Sequence, residues 1–198
     1  MPITDSPVEL KVVVAGPVGA GKTTLVSALS DAPPVRTEAQ RTEADPAKPM
    51  TTVAMDYGRR HIDDGLTVAF YGTPGQERFE PMWHILSRNA FGVIMLLSAE
   101  DPDGPQALGH FLGYYERLLG DIPTVIGISR VDCRPEAFYP LSARAGDRHP
   151  DIPVMPVDPR DPESAALLVE ALLTQIDVHG STVLDRLQGV SGMQFRVT

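Results

Sequence analysis

Short, nearly unbroken apolar runs alternate along this chain with longer stretches whose apolar residues recur at helical spacing. The runs at Glu9–Ala15, Phe91–Leu97, Thr124–Ile128 and Val154–Val157 predict strands covered on both faces. Thr52–His61 and Leu66–Tyr71 flank Asp63-Asp64-Gly65 and predict a hairpin. Helices are expected at Gly21–Ser30, Pro105–Leu119 and Pro162–Val178. Their stripes are Leu25, Ala28 and Leu29; then Leu108, Phe111, Leu112 and Tyr115; then Ala165, Leu168, Val169 and Leu172, with Asp161 as the cap of the last. Shorter helices are expected at Phe79–Asn89 and Glu136–Ala143, and the tail offers a helix at Thr182–Leu187 and a strand at Met193–Val197. Residues 31–49 carry Pro33, Pro34, Pro46 and Pro49 with no apolar period, so they read as a loop, either a functional lid or a disordered insertion. Strands interleaved with amphipathic helices imply a three-layer α/β sandwich. Its sheet is expected to be six-stranded and mostly parallel, with one antiparallel edge strand and helices on both faces.

Composition narrows the function. A chain of 198 residues forms one well-buried domain, here expected over residues 8–178, with residues 1–7 as a disordered lead and 179–198 as a C-terminal extension. The net charge of -9 argues against an extended phosphate-binding surface and so against a nucleic-acid partner. Cys133 is the one cysteine, which excludes an intrachain disulfide, fits a reducing compartment, and reads as a small semi-buried filler. No stretch reaches the roughly 18 apolar residues of a membrane span. The N-terminal residues show neither a basic leader nor a myristoylation glycine, and the C-terminal residues show no prenylation cysteine, so no direct membrane anchor is expected. The expected location is cytoplasmic, with recruitment to a membrane through a partner left open.

The chemistry starts where the first strand meets the first helix. Gly16-Pro17-Val18-Gly19-Ala20-Gly21-Lys22-Thr23 has the G-x-x-x-x-G-K-T spacing of a phosphate loop and sits in the strand-loop-helix setting that this motif requires. Gly16, Gly19, Ala20, Gly21 and Thr24 would turn backbone N–H groups toward phosphate oxygens at a helix N-terminus. Lys22 would reach the β- and γ-phosphates, and the Thr23 hydroxyl would ligate Mg²⁺. Taken alone, this motif implies a nucleoside triphosphate without saying which one.

A second segment follows a strand: Phe70-Tyr71-Gly72-Thr73-Pro74-Gly75-Gln76-Glu77-Arg78-Phe79. It resembles switch II of the Ras-like small GTPases, whose pattern is D-T-A-G-Q-E-R-F, and the resemblance extends over roughly residues 8–178. Two positions depart from that pattern. Gly72 stands where the family has an aspartate that holds Mg²⁺ through a water, and Pro74 replaces an alanine and removes a backbone donor. With Met50–Gly58, these departures are more similar to a prokaryotic branch. That branch includes the GTP-binding proteins of actinobacterial multicomponent signalling operons and, more distantly, the bacterial gliding and polarity GTPase.

The resemblance implies a P-loop NTPase fold that binds GTP or GDP with Mg²⁺ and hydrolyses GTP slowly, as a switch in intracellular signalling or polarity. By it, the Gly75 amide senses the γ-phosphate and Gln76 orients the attacking water. Thr52 coordinates Mg²⁺, with the adjacent Thr51 as the alternative. Ser129-Arg130-Val131-Asp132 stands for the guanine-reading N-K-x-D: Asp132 accepts from the base, and Arg130 lies along it. Asp158 falls at the last base-contacting segment, with Pro159 where the family has a donating amide. Implied partners are a GTPase-activating protein, among them the roadblock type, an effector read through the switch loops, and a sensor-kinase-like protein. Trp83 is either an anchor for such a partner or a core residue. Two rivals stay open: a P-loop ATPase or nucleotide kinase, and a nucleotide-binding scaffold whose hydrolysis has lapsed.

Overall fold

A computed structural model of the chain describes residues 8–39, 53–63, 66–119 and 122–178. The expected sandwich is present. Its strands are β1 (Val8–Ala15), β2 (Val35–Ala39), β3 (Val53–Asp63), β4 (Leu66–Gly72), β5 (Gly92–Ser98), β6 (Thr124–Ser129) and β7 (Val154–Val157). The helices are α1 (Lys22–Leu29), α2 (Glu80–Ser87), α3 (Gly104–Leu119), α4 (Phe138–Gly146) and α5 (Pro162–Val178). The sheet runs in the order β2-β3-β4-β1-β5-β6-β7.

β3 is antiparallel to both of its neighbours, and the other pairings are parallel. The sheet therefore has one more strand than the six expected, and β3 is not its edge. The additional strand, β2, comes from within the proline-rich stretch read as loop. Val35–Ala39 lies between the prolines, has no apolar alternation to announce it, and is held by its backbone ladder to β3. Residues 40–52, the two ends of the chain and the C-terminal helix and strand expected at 182–187 and 193–197 lie outside the described residues.

The apolar runs are buried on both faces because helices cover both. In β1, Leu10, Val12 and Val14 join α1 and α5 in one core, while Val13 and Ala15 join α3 in the other. β5 splits the same way, with Ile94 and Leu96 on one side and Val93, Met95 and Leu97 on the other, every residue of the strand being buried. The two-residue period of a strand is thus present but invisible in the sequence, since both faces require apolar side chains. Elsewhere the expected helices hold with small changes. α2 is preceded by a 3-10 turn at Glu77–Phe79 and carries Pro81 in its first turn, where its missing N–H costs nothing. α4 begins only at Phe138, after a 3-10 turn at Pro135–Ala137. Asp161 caps α5: its carboxylate accepts from the Glu163 N–H at 3.1 Å and its carbonyl from the Ala165 N–H at 2.9 Å.

This topology concentrates loops at one edge. After β1 the chain crosses to the far edge at β2 and returns through β3 to β4 beside β1, and it then builds β5, β6 and β7 outward on the other side. The carboxyl ends of the parallel strands therefore open into one crevice beside β1, which is where open α/β sheets take ligands.

Candidate functional site

The loop after β1 is shaped by close packing against the sheet. Gly16 sits at φ +140, and a Cβ there would fall 2.0 Å from the Leu96 carbonyl oxygen, so only glycine lets β1 turn away at this point. Gly19 and Gly21 also have positive φ, and Gly21 leads into α1. Ala20, between them, is buried.

Lys22 opens α1 and is buried, and its Nζ donates to the Pro17 carbonyl of its own loop at 2.6 Å. Burial pushes its ammonium down to about 8 from its ordinary 10.5, while the neighbouring negative charge of Asp56 pulls it back up. Glycines at positive φ leading into a helix N-terminus, with a desolvated cation beside them, make a setting suited to phosphate oxygens. One residue on, the Thr23 hydroxyl donates to Asp56 Oδ2 at 2.5 Å.

The segment after β4 lies directly on this loop. The Thr73 N–H donates to the Val14 carbonyl at 2.9 Å, which continues the β1–β4 pairing past the end of β4. Gly75 then approaches so closely that a Cβ would lie 2.5 Å from Val18 N and 2.8 Å from Lys22 Nζ. Gln76 is exposed at the start of the 3-10 turn. Trp83, fully buried, stacks on Phe111 at 4.6 Å and donates from Nε1 to the Pro74 carbonyl at 2.6 Å. Of its two sequence readings, the core one holds.

On the other side of the phosphate loop is a cavity of about 290 Å³. Ala20, Gly21 and Thr24 line it from the loop and α1, and Ser129, Arg130 and Asp132 from the end of β6. Asp158, Pro159 and Arg160 line it from beyond β7. The Ser129 hydroxyl is buried between two carbonyls, Ala20 at 2.9 Å and Leu97 at 3.0 Å, and so ties β6 to the phosphate loop. Arg130, at φ +59, pairs with Glu100 at 2.9 Å and reaches the Gly19 carbonyl at 3.3 Å. Asp158 turns its carboxylate onto the Arg160 N–H and guanidinium, at 2.8–3.0 Å, and these bonds hold it down to about 2. Asp132 is exposed at the cavity wall.

No family model matches the chain. An intraflagellar transport protein 22 homolog from Xenopus tropicalis is 29% identical over 92 residues, which is 46% of this chain and 48% of that relative. An uncharacterized protein from Methanocaldococcus jannaschii is 38% identical over 91 residues, 46% of this chain and 52% of the relative. The chain spans about half the length of the curated relatives it matches. Fold and loop geometry are those of a P-loop-type protein suited to a nucleotide.

The structure therefore brings together Gly16, Gly19, Ala20, Gly21, Lys22, Thr23 and Gly75 around the phosphate loop, and Thr24, Ser129, Arg130, Asp132 and Asp158 around the neighbouring cavity. Gln76 follows Gly75 in the chain and is exposed, without lining the cavity. Thr51 and Thr52 lie outside the described residues. Among the described residues, no helix is long and apolar enough to cross a membrane. No group of three His, Cys, Asp or Glu side chains gathers there to cage a metal unaided. Mg²⁺ needs no such cage, since it binds through one or two protein oxygens together with substrate phosphates and retained waters, and the Thr23–Asp56 pair supplies hard oxygens of that kind.

Several functional candidates had no motif to announce them. Glu100 holds Arg130 from the loop after β5. Cys133 is exposed and lines the cavity, rather than filling a semi-buried gap, because the turn after β6 carries it outward beside Asp132. Asp56 had no such mark: regular pairing outward from Asp63 and Leu66 would set Tyr57 across from Gly72, and the register shift between His61 and Asp63 brings Asp56 there instead.

Proposed function

We propose that the chain is a guanine-nucleotide switch: it binds GTP with Mg²⁺ in the crevice beside β1, hydrolyses it slowly to GDP, and presents different surfaces in the two states. The observation that carries this reading is the seating of Gly75 against Lys22 and Val18. A segment packed on the phosphate loop at this closeness must respond to what the loop holds, so a γ-phosphate and residues 73–76 compete for, or share, the same few ångströms. In that role the Gly75 N–H meets the γ-phosphate, Gln76 orients water, and Lys22 neutralises the phosphates. Asp132, exposed at the wall of a base-sized cavity, accepts from the guanine ring N–H and amino group, a donor pair that adenine does not present. The bound metal would supply charge neutralisation between phosphates, with Thr23 and Thr52 as its proposed holders.

The activator and effector follow from the same reading. A hydrolysis-stimulating protein, of which the roadblock type is one candidate, and an effector or sensor-kinase-like partner would contact the elements that flank the phosphate loop. Ile85 on α2 presents an exposed apolar side chain, and Val35 presents another on the edge strand β2. Calorimetric titration of the protein with GTP, GDP and ATP, each with Mg²⁺, tests the reading. Guanine nucleotides are expected to bind more tightly than ATP. A preference for ATP overturns the reading in favour of an ATPase or nucleotide kinase, and tight GTP binding with no turnover, even with an activator, favours the scaffold.

A further inference from the structure

The position that should hold the metal's acidic partner is Gly72, and it is empty of any side chain. Its neighbour in the sheet is not. Asp56 on β3 pairs directly with Gly72 on β4, so the two residues project toward the same face. A Cβ built on Gly72 would lie 3.1 Å from Asp56 Cβ and 3.3 Å from Asp56 Oδ2. The space that a residue-72 side chain would take is thus already used by the Asp56 side chain. The same Oδ2 accepts from the Thr23 hydroxyl at 2.5 Å, and the Asp56 charge acts on Lys22. One carboxylate therefore reaches both phosphate-loop residues expected to work on the metal and the phosphates, and it does so from the strand next door.

We propose that Asp56 is the metal-positioning carboxylate of this site, supplied from β3 across the hairpin in place of the missing side chain at Gly72. The assignment rests on the nucleotide reading above and names which residue completes the Mg²⁺ surroundings. The chemistry suits it: a carboxylate beside a hydroxyl offers hard oxygens, and hydrogen bonds from metal-bound waters to an ionised acceptor are the stronger kind. The geometry also explains why residue 72 is glycine, since two facing acids would crowd each other inside van der Waals distance and repel. The acid thus comes from β3 instead of β4, one strand over, and its carboxylate still reaches the phosphate loop.

The test is the release rate of a fluorescent methylanthraniloyl GDP from the full chain, in Mg²⁺ and in excess chelator. In the unmutated protein, chelation is expected to speed release. Asp56→Asn, which keeps the shape and removes the charge, is expected to release roughly tenfold to a hundredfold faster in Mg²⁺. Its rate in chelator should match that of the unmutated protein. The exchange variant Asp56→Gly with Gly72→Asp returns the acid to β4 and is expected to restore the Mg²⁺ effect; it carries the test if Asp56→Asn does not fold. A full Mg²⁺ effect in Asp56→Asn overturns the assignment, as does a folded exchange variant that binds GDP with no Mg²⁺ effect. An unmutated protein that releases GDP equally with and without Mg²⁺ overturns it too and leaves guanine binding standing. One that binds no guanine nucleotide overturns the parent reading.

Discussion

The Trp83 indole N–H donates to the Pro74 carbonyl at 2.6 Å, joining α2 to the segment that rests on the phosphate loop. Trp83 is the single tryptophan of the chain and is fully buried, so its emission reports on one place. If residues 73–76 move when the γ-phosphate leaves, this bond lengthens or breaks. Intrinsic fluorescence is therefore expected to differ between the GDP-bound protein and the protein bound to a non-hydrolysable GTP analogue. Identical spectra would count against movement of this segment.

Replacing Trp83 separates the bond from the packing. Trp83→Phe keeps an aromatic ring against Phe111 and Tyr114 but leaves the Pro74 carbonyl without its donor, at an expected cost of about 1–3 kcal/mol. Trp83→Ala also opens a cavity beneath α3 and is expected to cost about 3–5 kcal/mol. Urea denaturation of both variants checks the order; equal losses would mean that the hydrogen bond contributes most of the effect.

Lys22 makes nucleotide affinity depend on pH with a defined sign. The unfolded lysine keeps its proton to its ordinary 10.5, whereas in the folded protein burial lets it go near about 8. Between those values the unfolded chain binds more protons, so stability rises with pH across that window, and below it the cost of burying the ammonium is present in full. Phosphate acts oppositely, favouring the charged form. GDP affinity is therefore expected to be flat below about pH 8 and to fall above it by up to about tenfold per unit. Calorimetry across that range should show the fall in the unmutated protein and a weak, flat profile in Lys22→Met. A flat profile in both would show that Lys22 does not titrate against the phosphates.

Gly75→Ala tests the closeness of the second segment. Its methyl group would meet the backbone of Pro17 and Val18, which cannot yield as a flexible side chain can. The segment is expected to lift from the phosphate loop at a cost of about 1–3 kcal/mol. Single-turnover GTP hydrolysis should drop sharply while GDP affinity stays within about threefold, a difference of well under 1 kcal/mol. Loss of GDP binding to the same degree would mean that the segment supports the whole loop instead of reading one phosphate.

Particular residues show why some of this was legible in the sequence and some was not. The phosphate loop could be read because Gly16, Gly21, Lys22 and Thr23 fall within one eight-residue stretch of the chain, and local chemistry fixes local geometry. The strands β1, β5 and β6 could be read because burial on both faces forces an apolar run. β2 could not, since backbone pairing with β3 sustains it and Val35 is exposed. Asp56 and Glu100 could not, because their roles exist only across a strand pair or between two loops. Ser129 was legible in position, but its hydroxyl is committed to the Ala20 and Leu97 carbonyls, which only the folded arrangement discloses.

Cys133 turns the cavity into something that can be measured directly. It is the sole cysteine, it is exposed, and it shares the cavity wall with Asp132. The negative charge of Asp132 is the main cause that raises the thiol above its ordinary range, so little thiolate exists at neutral pH and alkylation is slow. A guanine base seated against Asp132 would cover the thiol, and iodoacetamide labelling followed by mass spectrometry is expected to slow by about tenfold or more when GDP is held well above its dissociation constant. ATP at the same concentration should protect far less. Asp132→Asn removes the charge, and the thiol should then ionise at lower pH and label faster in the free protein. The same variant loses an acceptor for two guanine donors and should weaken GDP by about 1.5–3 kcal/mol. Faster labelling together with unchanged GDP affinity would place Asp132 beside the cysteine but not beneath the base.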